Sequence, residues 1–124
     1  MRQSSCFRVI GGLMLVMAVW FAIKEYRDDI NKRRAFAVVS DLGGRIGSIP
    51  CWPLGDEIRV EFHGKQFSKE ELNRLDALNP LTSRHTIGIL FVDTNLTRDD
   101  IIKVRHLLPR CVLIRVVNGT QQLE

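Results

Sequence analysis

At 124 residues the chain has room for one compact domain at most, and once a membrane segment is set aside roughly 90 residues remain for a modest core. The net charge of +4 is confined to residues 1–34, where seven basic residues (Arg2, Arg8, Lys24, Arg27, Lys32, Arg33, Arg34) outweigh three acids (Glu25, Asp28, Asp29), whereas residues 35–124 hold eleven of each sign. The globular part therefore has no net field to attract a phosphate backbone, which argues against a nucleic-acid partner.

Residues Val9 to Ile23 are uninterrupted apolar sequence. As a helix they span about 22 Å, short of a hydrocarbon core of about 30 Å. Cys6 and Phe7 extend the run, Arg8 and Lys24 can snorkel to headgroups, and Trp20 suits the interface. A secretory signal has an apolar region of similar length, but Trp20, Phe21 and Ile23 occupy the positions a small-x-small cleavage site would need. Ala35-Phe36-Ala37 has that pattern only beyond a charged stretch. The segment 1–24 is therefore expected to be a single-pass anchor in the cell membrane. Two Lys/Arg precede the apolar run and five follow it closely, which places the C-terminal side in the cytoplasm by the positive-inside rule.

Residues 25–57 read as a charged helix followed by a capping segment. Ala35, Val38, Val39 and Leu42 fall at helical spacing, one apolar stripe, and Gly43-Gly44 is a stop signal. Arg45 to Ile49 can form a short strand. The stretch Pro50-Cys51-Trp52-Pro53-Leu54-Gly55 is expected to be a loop because of its two prolines.

The remainder, 58–124, repeats itself. At an offset of 29 residues Val60 matches Ile89, Phe62 Phe91, Phe67 Leu96, Ser68 Thr97, Leu72 Ile101, Leu75 Val104, Leu78 Leu107 and Pro80 Pro109. Such recurrence at one offset marks an internal repeat. Each unit reads as a half-buried strand, a hydroxyl residue with an acid three places on (Ser68 and Glu71, Thr97 and Asp100) that forms a capping box, and a helix. The helices bury Leu72, Leu75 and Leu78, or Ile101, Val104, Leu107 and Leu108, and a proline stops each one. Val112 to Val117 adds a closing strand without a helix. The expected fold class is α/β: an N-terminal transmembrane helix, then a short strand–helix array with a small parallel sheet and its helices on one side.

Leu42-Gly43-Gly44, the Leu54-Gly55-Asp56 turn, the strand Val60-Glu61-Phe62, the core Thr94-Asn95-Leu96-Thr97 and the ending Leu108-Pro109-Arg110-Cys111 together resemble a family of short bacterial leucine-rich-repeat-like, membrane-anchored proteins. The resemblance covers nearly the whole chain. Thr82 to His85 depart from it as an insertion, and Thr86 stands where a leucine is usual. About two repeats are fewer than a solenoid needs, so the N-terminal helix and the Trp52 loop are expected to serve as a cap. The resemblance implies a protein-binding scaffold, by analogy of fold.

Inward strand positions are expected at Val60, Phe62, Ile89, Phe91, Ile114 and Val116. The outward rows are then Arg59, Glu61 and His63; Gly88, Leu90 and Val92; Leu113, Arg115 and Val117. Leu90, Val92, Leu113 and Val117 make these rows unusually apolar for a solvated face. Either the face binds a protein partner, or residues 45–57 fold over it. The candidate partner-binding residues are Arg59, Glu61, His63, Leu90, Val92, Leu113, Arg115 and Val117.

No catalytic site, cofactor or metal is expected. His63, His85 and His106 lack ligand spacing to each other or to a cysteine, Asp99-Asp100 reads as helix-terminal charge, and the glycines of 43–47 follow a helix where a phosphate loop would open one. The odd, widely spaced cysteines do not make a disulfide framework. Cys111 reads as a buried thiol and Cys51 as exposed; a bridge between them stays open. A small thiol-dependent enzyme or redox protein using Cys51 is the alternative, and it would need a thiol of depressed pKa.

Overall fold

A computed structural model describes residues 2–51, 53–64, 67, 69–111, 113–119 and 121–123. The chain divides into two compact units, residues 1–30 and 31–124.

The first unit is helical, the opening part of α1 (Arg2–Asp41). It is long and apolar enough to cross a membrane by length and composition. Its apolar side chains are bare, with Leu13 61% and Trp20 62% exposed.

The second unit is built on a five-stranded sheet in the order β1 (Arg45–Pro50), β2 (Asp56–His63), β3 (Thr86–Val92), β4 (Leu113–Asn118), β5 (Gln121–Leu123). The three central strands run parallel, and both edge strands pair antiparallel. The 29-residue offset is the register of β2 against β3: Ile58 lies opposite Ile87, Val60 opposite Ile89 and Phe62 opposite Phe91. The sequence repeat is thus a spatial stack.

The end of α1 packs into this unit through Ala35, Val39 and Leu42, all buried. Its stop is a Schellman turn: Gly43, at φ 76°, donates to Ser40 O, and Gly44 donates to Val39 O. The chain then enters β1. Pro50 closes that strand instead of beginning a loop, since an edge strand tolerates a residue without an N–H. A tight turn follows, in which Leu54 N donates to Cys51 O and Cys51 N to Gly55 O.

The two windings between parallel strands differ. The first is a 3-10 helix, η1 (Lys69–Leu81), and the second is α2 (Arg98–Leu107). The apolar spacing explains the difference. Leu72, Leu75, Leu78 and Leu81 are all buried and recur every third residue, so they eclipse on one face at about 3.0 residues per turn. Ile101, Val104 and Leu108, also buried, follow the wider α spacing. The expected stop at Pro80 is corrected, since Pro80 lies inside η1, one residue before its end. The capping box expected at Ser68 lies outside the described residues. That of α2 is present: Thr97 Oγ1 accepts from Asp100 N, and Asp100 Oδ2 accepts from Thr97 N at 2.9 Å.

The turn from β3 to α2 gives each residue of the Thr94-Asn95-Leu96-Thr97 tetrad a task. Asp93 and Asn95 take left-handed φ of 54° and 57°, which Asx side chains tolerate. Thr94 and Leu96 are buried, and Thr97 caps. Asp93 Oδ1 also accepts from Gly119 N at 2.9 Å, so this turn braces the one after β4. The closing strand expected at Val112 to Val117 is extended: past Gly119 (φ 60°) the chain returns as β5 beside β4.

One core joins the inner sheet face to α1, η1 and α2. The six expected inward residues are each at most 1% exposed. Phe62, Phe67 and Phe91 cluster within it, with ring centroids 4.7–5.5 Å apart.

Candidate partner-binding face

The opposite face of the sheet carries the expected outward residues, and the register sorts them into cross-strand rows. One row runs Gly47, Arg59, Gly88, Leu113; the next runs Arg45, Glu61, Leu90, Arg115; the third runs His63, Val92, Val117. All are exposed or half-buried, and Leu113 is 44% exposed.

The relief of this face follows from the chemistry along each strand. On β2 the charges pair with their own neighbours: Arg59 Nη2 lies 2.7 Å from Glu57 Oε1, and His63 Nε2 lies 3.2 Å from Glu61 Oε2. The strand is a polar ridge in which Arg59 is paired with Glu57 and His63 lies beside Glu61. On β3 the outward residues Thr86, Gly88, Leu90 and Val92 carry no charge. On β4, Leu113 and Val117 flank Arg115. The lack of a side chain at Gly88 makes a shallow depression of about 420 Å³, lined among others by Arg59, Thr86, Leu90, Leu113 and Arg115. An added Cβ at Gly88 would approach only Leu113 Cβ, at 3.8 Å.

Residues 45–50 do not fold across this face. Their strand lies in the plane of the sheet as its β1 edge, with Ile46 turned toward the core. The covered alternative is corrected to that extent; Trp52 lies outside the described residues. The cause is the backbone demand of β2, whose outer edge groups need a partner and find it in β1.

Other expected positions fall as follows. Cys6 and Cys51 are exposed and Cys111 is buried, all as free thiols, so the Cys51–Cys111 bridge is not formed. Burial pushes the Cys111 thiol up, and Sγ donates to Ile87 O at 3.1 Å. His106 is exposed on α2. Among the described residues no group of His, Cys, Asp and Glu could hold a metal ion.

His85 is the residue that sequence reasoning missed. It is 5% exposed, and its Nδ1 accepts from Asp56 N at 2.8 Å. The expected insertion Thr82 to His85 therefore supplies the clasp that starts β2. The signal was present, since Asp56 and His85 are themselves 29 residues apart and continue the repeat offset by two steps beyond Ile58 and Ile87. Asp56 also accepts from Lys32, which holds its carboxyl below the usual carboxylate range; desolvation opposes the shift in part.

No family model, curated protein or solved structure matches the chain.

Proposed function

We propose that this chain is a non-catalytic, membrane-anchored interaction module of leucine-rich-repeat-like build that holds a protein partner on the open face of its sheet. The observation that carries the reading is the uncharged outer row of β3 and the depression beside it. A solvated sheet face ordinarily alternates to polar residues on its outer side. Here Leu90, Val92, Leu113 and Val117 lie around Arg115 beside a notch at Gly88, bordered by the Arg59–Glu57 pair of β2. Contiguous exposed apolar surface rimmed by polar groups is how protein contact sites are built.

The 29-residue register of β2 on β3, continued by β4 on β3 at 25 residues, with both windings packed into one core, supports the repeat-like build. The bare apolar stretch of α1 supports the anchor. The excess of Lys/Arg after that stretch supports a cytoplasmic sheet domain.

The test is a crosslinking pull-down from membranes with the native chain and a Leu90→Lys, Val117→Lys variant of unchanged circular dichroism. Capture of a discrete protein by the native chain alone is expected. Equal capture by both chains, or capture by neither, would contradict the assignment. Orientation is read separately: an impermeant maleimide should label Cys51 only after cells are permeabilised.

A further inference from the structure

The charges that follow the apolar stretch are sorted around α1. With about 100° per residue, Lys24 and Arg27 fall on either side of Trp20 within an arc of roughly 60°, while Glu25 and Asp29 point to the other side and Asp28 lies between. Those three acids each make an interaction within the protein. Trp20, Lys24 and Arg27 are exposed, and with Ile23 they line a shallow groove on the helix surface. The Lys24 ammonium stands 5.1 Å over the Trp20 ring, a cation–π contact that holds the cation beside the indole.

The depth of this stripe matches a membrane boundary. From Trp20 to Arg27 the helix rises roughly 10 Å, enough to traverse a headgroup layer about 5–8 Å deep on each side of the hydrocarbon core. Tryptophan settles at the inner border of that layer. The cations one and two turns further on then stand level with the lipid phosphates.

We infer that Trp20, Lys24 and Arg27 form a headgroup clamp that selects anionic phospholipids in the leaflet on the C-terminal side of the apolar stretch. The inference rests on the anchor reading above. The indole fixes depth, and the ammonium and guanidinium meet the phosphate oxygens; a second, negatively charged or uncharged headgroup substituent decides net attraction. Each cation at such a surface favours an anionic lipid by about fivefold. Glu25 and Asp29 on the opposite arc leave the clamp one-sided, so one or two lipids are held, not a uniform shell.

The test uses the full chain with Trp52→Phe, which leaves Trp20 as the single energy donor, in phosphatidylcholine vesicles holding a trace of pyrene-labelled phosphatidylglycerol or pyrene-labelled phosphatidylcholine. Transfer from Trp20 should be several-fold more efficient, per probe, to the phosphatidylglycerol probe. The preference should vanish in Lys24→Gln, Arg27→Gln and persist in Lys24→Arg, Arg27→Lys. Equal transfer to both probes from a chain that resists alkaline carbonate extraction would overturn the clamp and leave the anchor standing. Release of the chain by carbonate would overturn both.

Discussion

Lys32 Nζ lies 2.6 Å from Asp56 Oδ2, joining the C-terminal part of α1 to the first residue of β2 across 24 positions of chain. Both side chains are about three-quarters shielded, so the pair is less screened than a surface ion pair. The Lys32 hydrogen bond lowers the Asp56 pKa from its ordinary 3.8. A lowered folded pKa contributes stability that is fully present above the unfolded value and is lost as pH falls through the folded one. Acid unfolding of the native chain should therefore show a loss of stability below pH 3.8 that Asp56→Asn lacks. At neutral pH Lys32→Met should cost about 1 kcal/mol. Urea titrations at several pH values measure both effects.

Gly55 has two reasons to be glycine. Its φ is 86°, and a Cβ there would run into the carbonyl of Arg84. Gly55→Ala should cost more than the roughly 1 kcal/mol of an ordinary left-handed substitution, since the clash is with backbone that His85 holds in place. The expected thermal shift is a clear fall in midpoint, with protection of the β1 and β2 amides lost first in hydrogen exchange. An unchanged midpoint would mean that the turn relaxes freely.

How far the sequence could be read depends on the kind of signal. The repeat offset was visible because β2 and β3 bury matching side chains, and the same offset is their register. The α2 cap was visible because a hydroxyl and a carboxylate three apart serve one local purpose, which holds in the fold at Thr97 and Asp100. The 3-10 winding of η1 was also written in the chain, as leucines every third residue, but this spacing overlaps the α pattern until Leu81 is included. The edge strands were less legible. Pro50 signals a break locally, and only the unpaired edge of β2 makes an extended Pro50 worthwhile. The outward residues of the candidate face were readable from alternation alone. The notch was not, since it depends on Gly88 lying between Arg59 and Leu113 in one cross-strand row.

Thiol chemistry separates Cys51 from Cys111. In a Cys6→Ser chain one thiol should react quickly with a disulfide reagent in native buffer, while Cys111, buried and donating to Ile87 O, should react only on the timescale of unfolding. Two fast thiols would mean that the β3–β4 end of the core opens readily.

Filling the notch should separate fold from binding. Gly88→Ala meets only Leu113 Cβ at 3.8 Å and relieves a glycine in a strand interior, so it should stabilise by about 0.5–1 kcal/mol. Gly88→Leu should occupy the depression, keep the thermal midpoint close to native, and lower partner capture from membranes. Retained capture would remove the notch from the binding surface.

The most direct measurement places a photo-crosslinking residue at Leu113 on the open face, and in a second chain at Ile102, an exposed apolar position on α2. Both chains are irradiated in native membranes. A discrete protein adduct from position 113, absent from position 102 and lost on adding Leu90→Lys, is the result expected of an open sheet face that holds a partner. No adduct from position 113, or the same adduct from both positions, would contradict it.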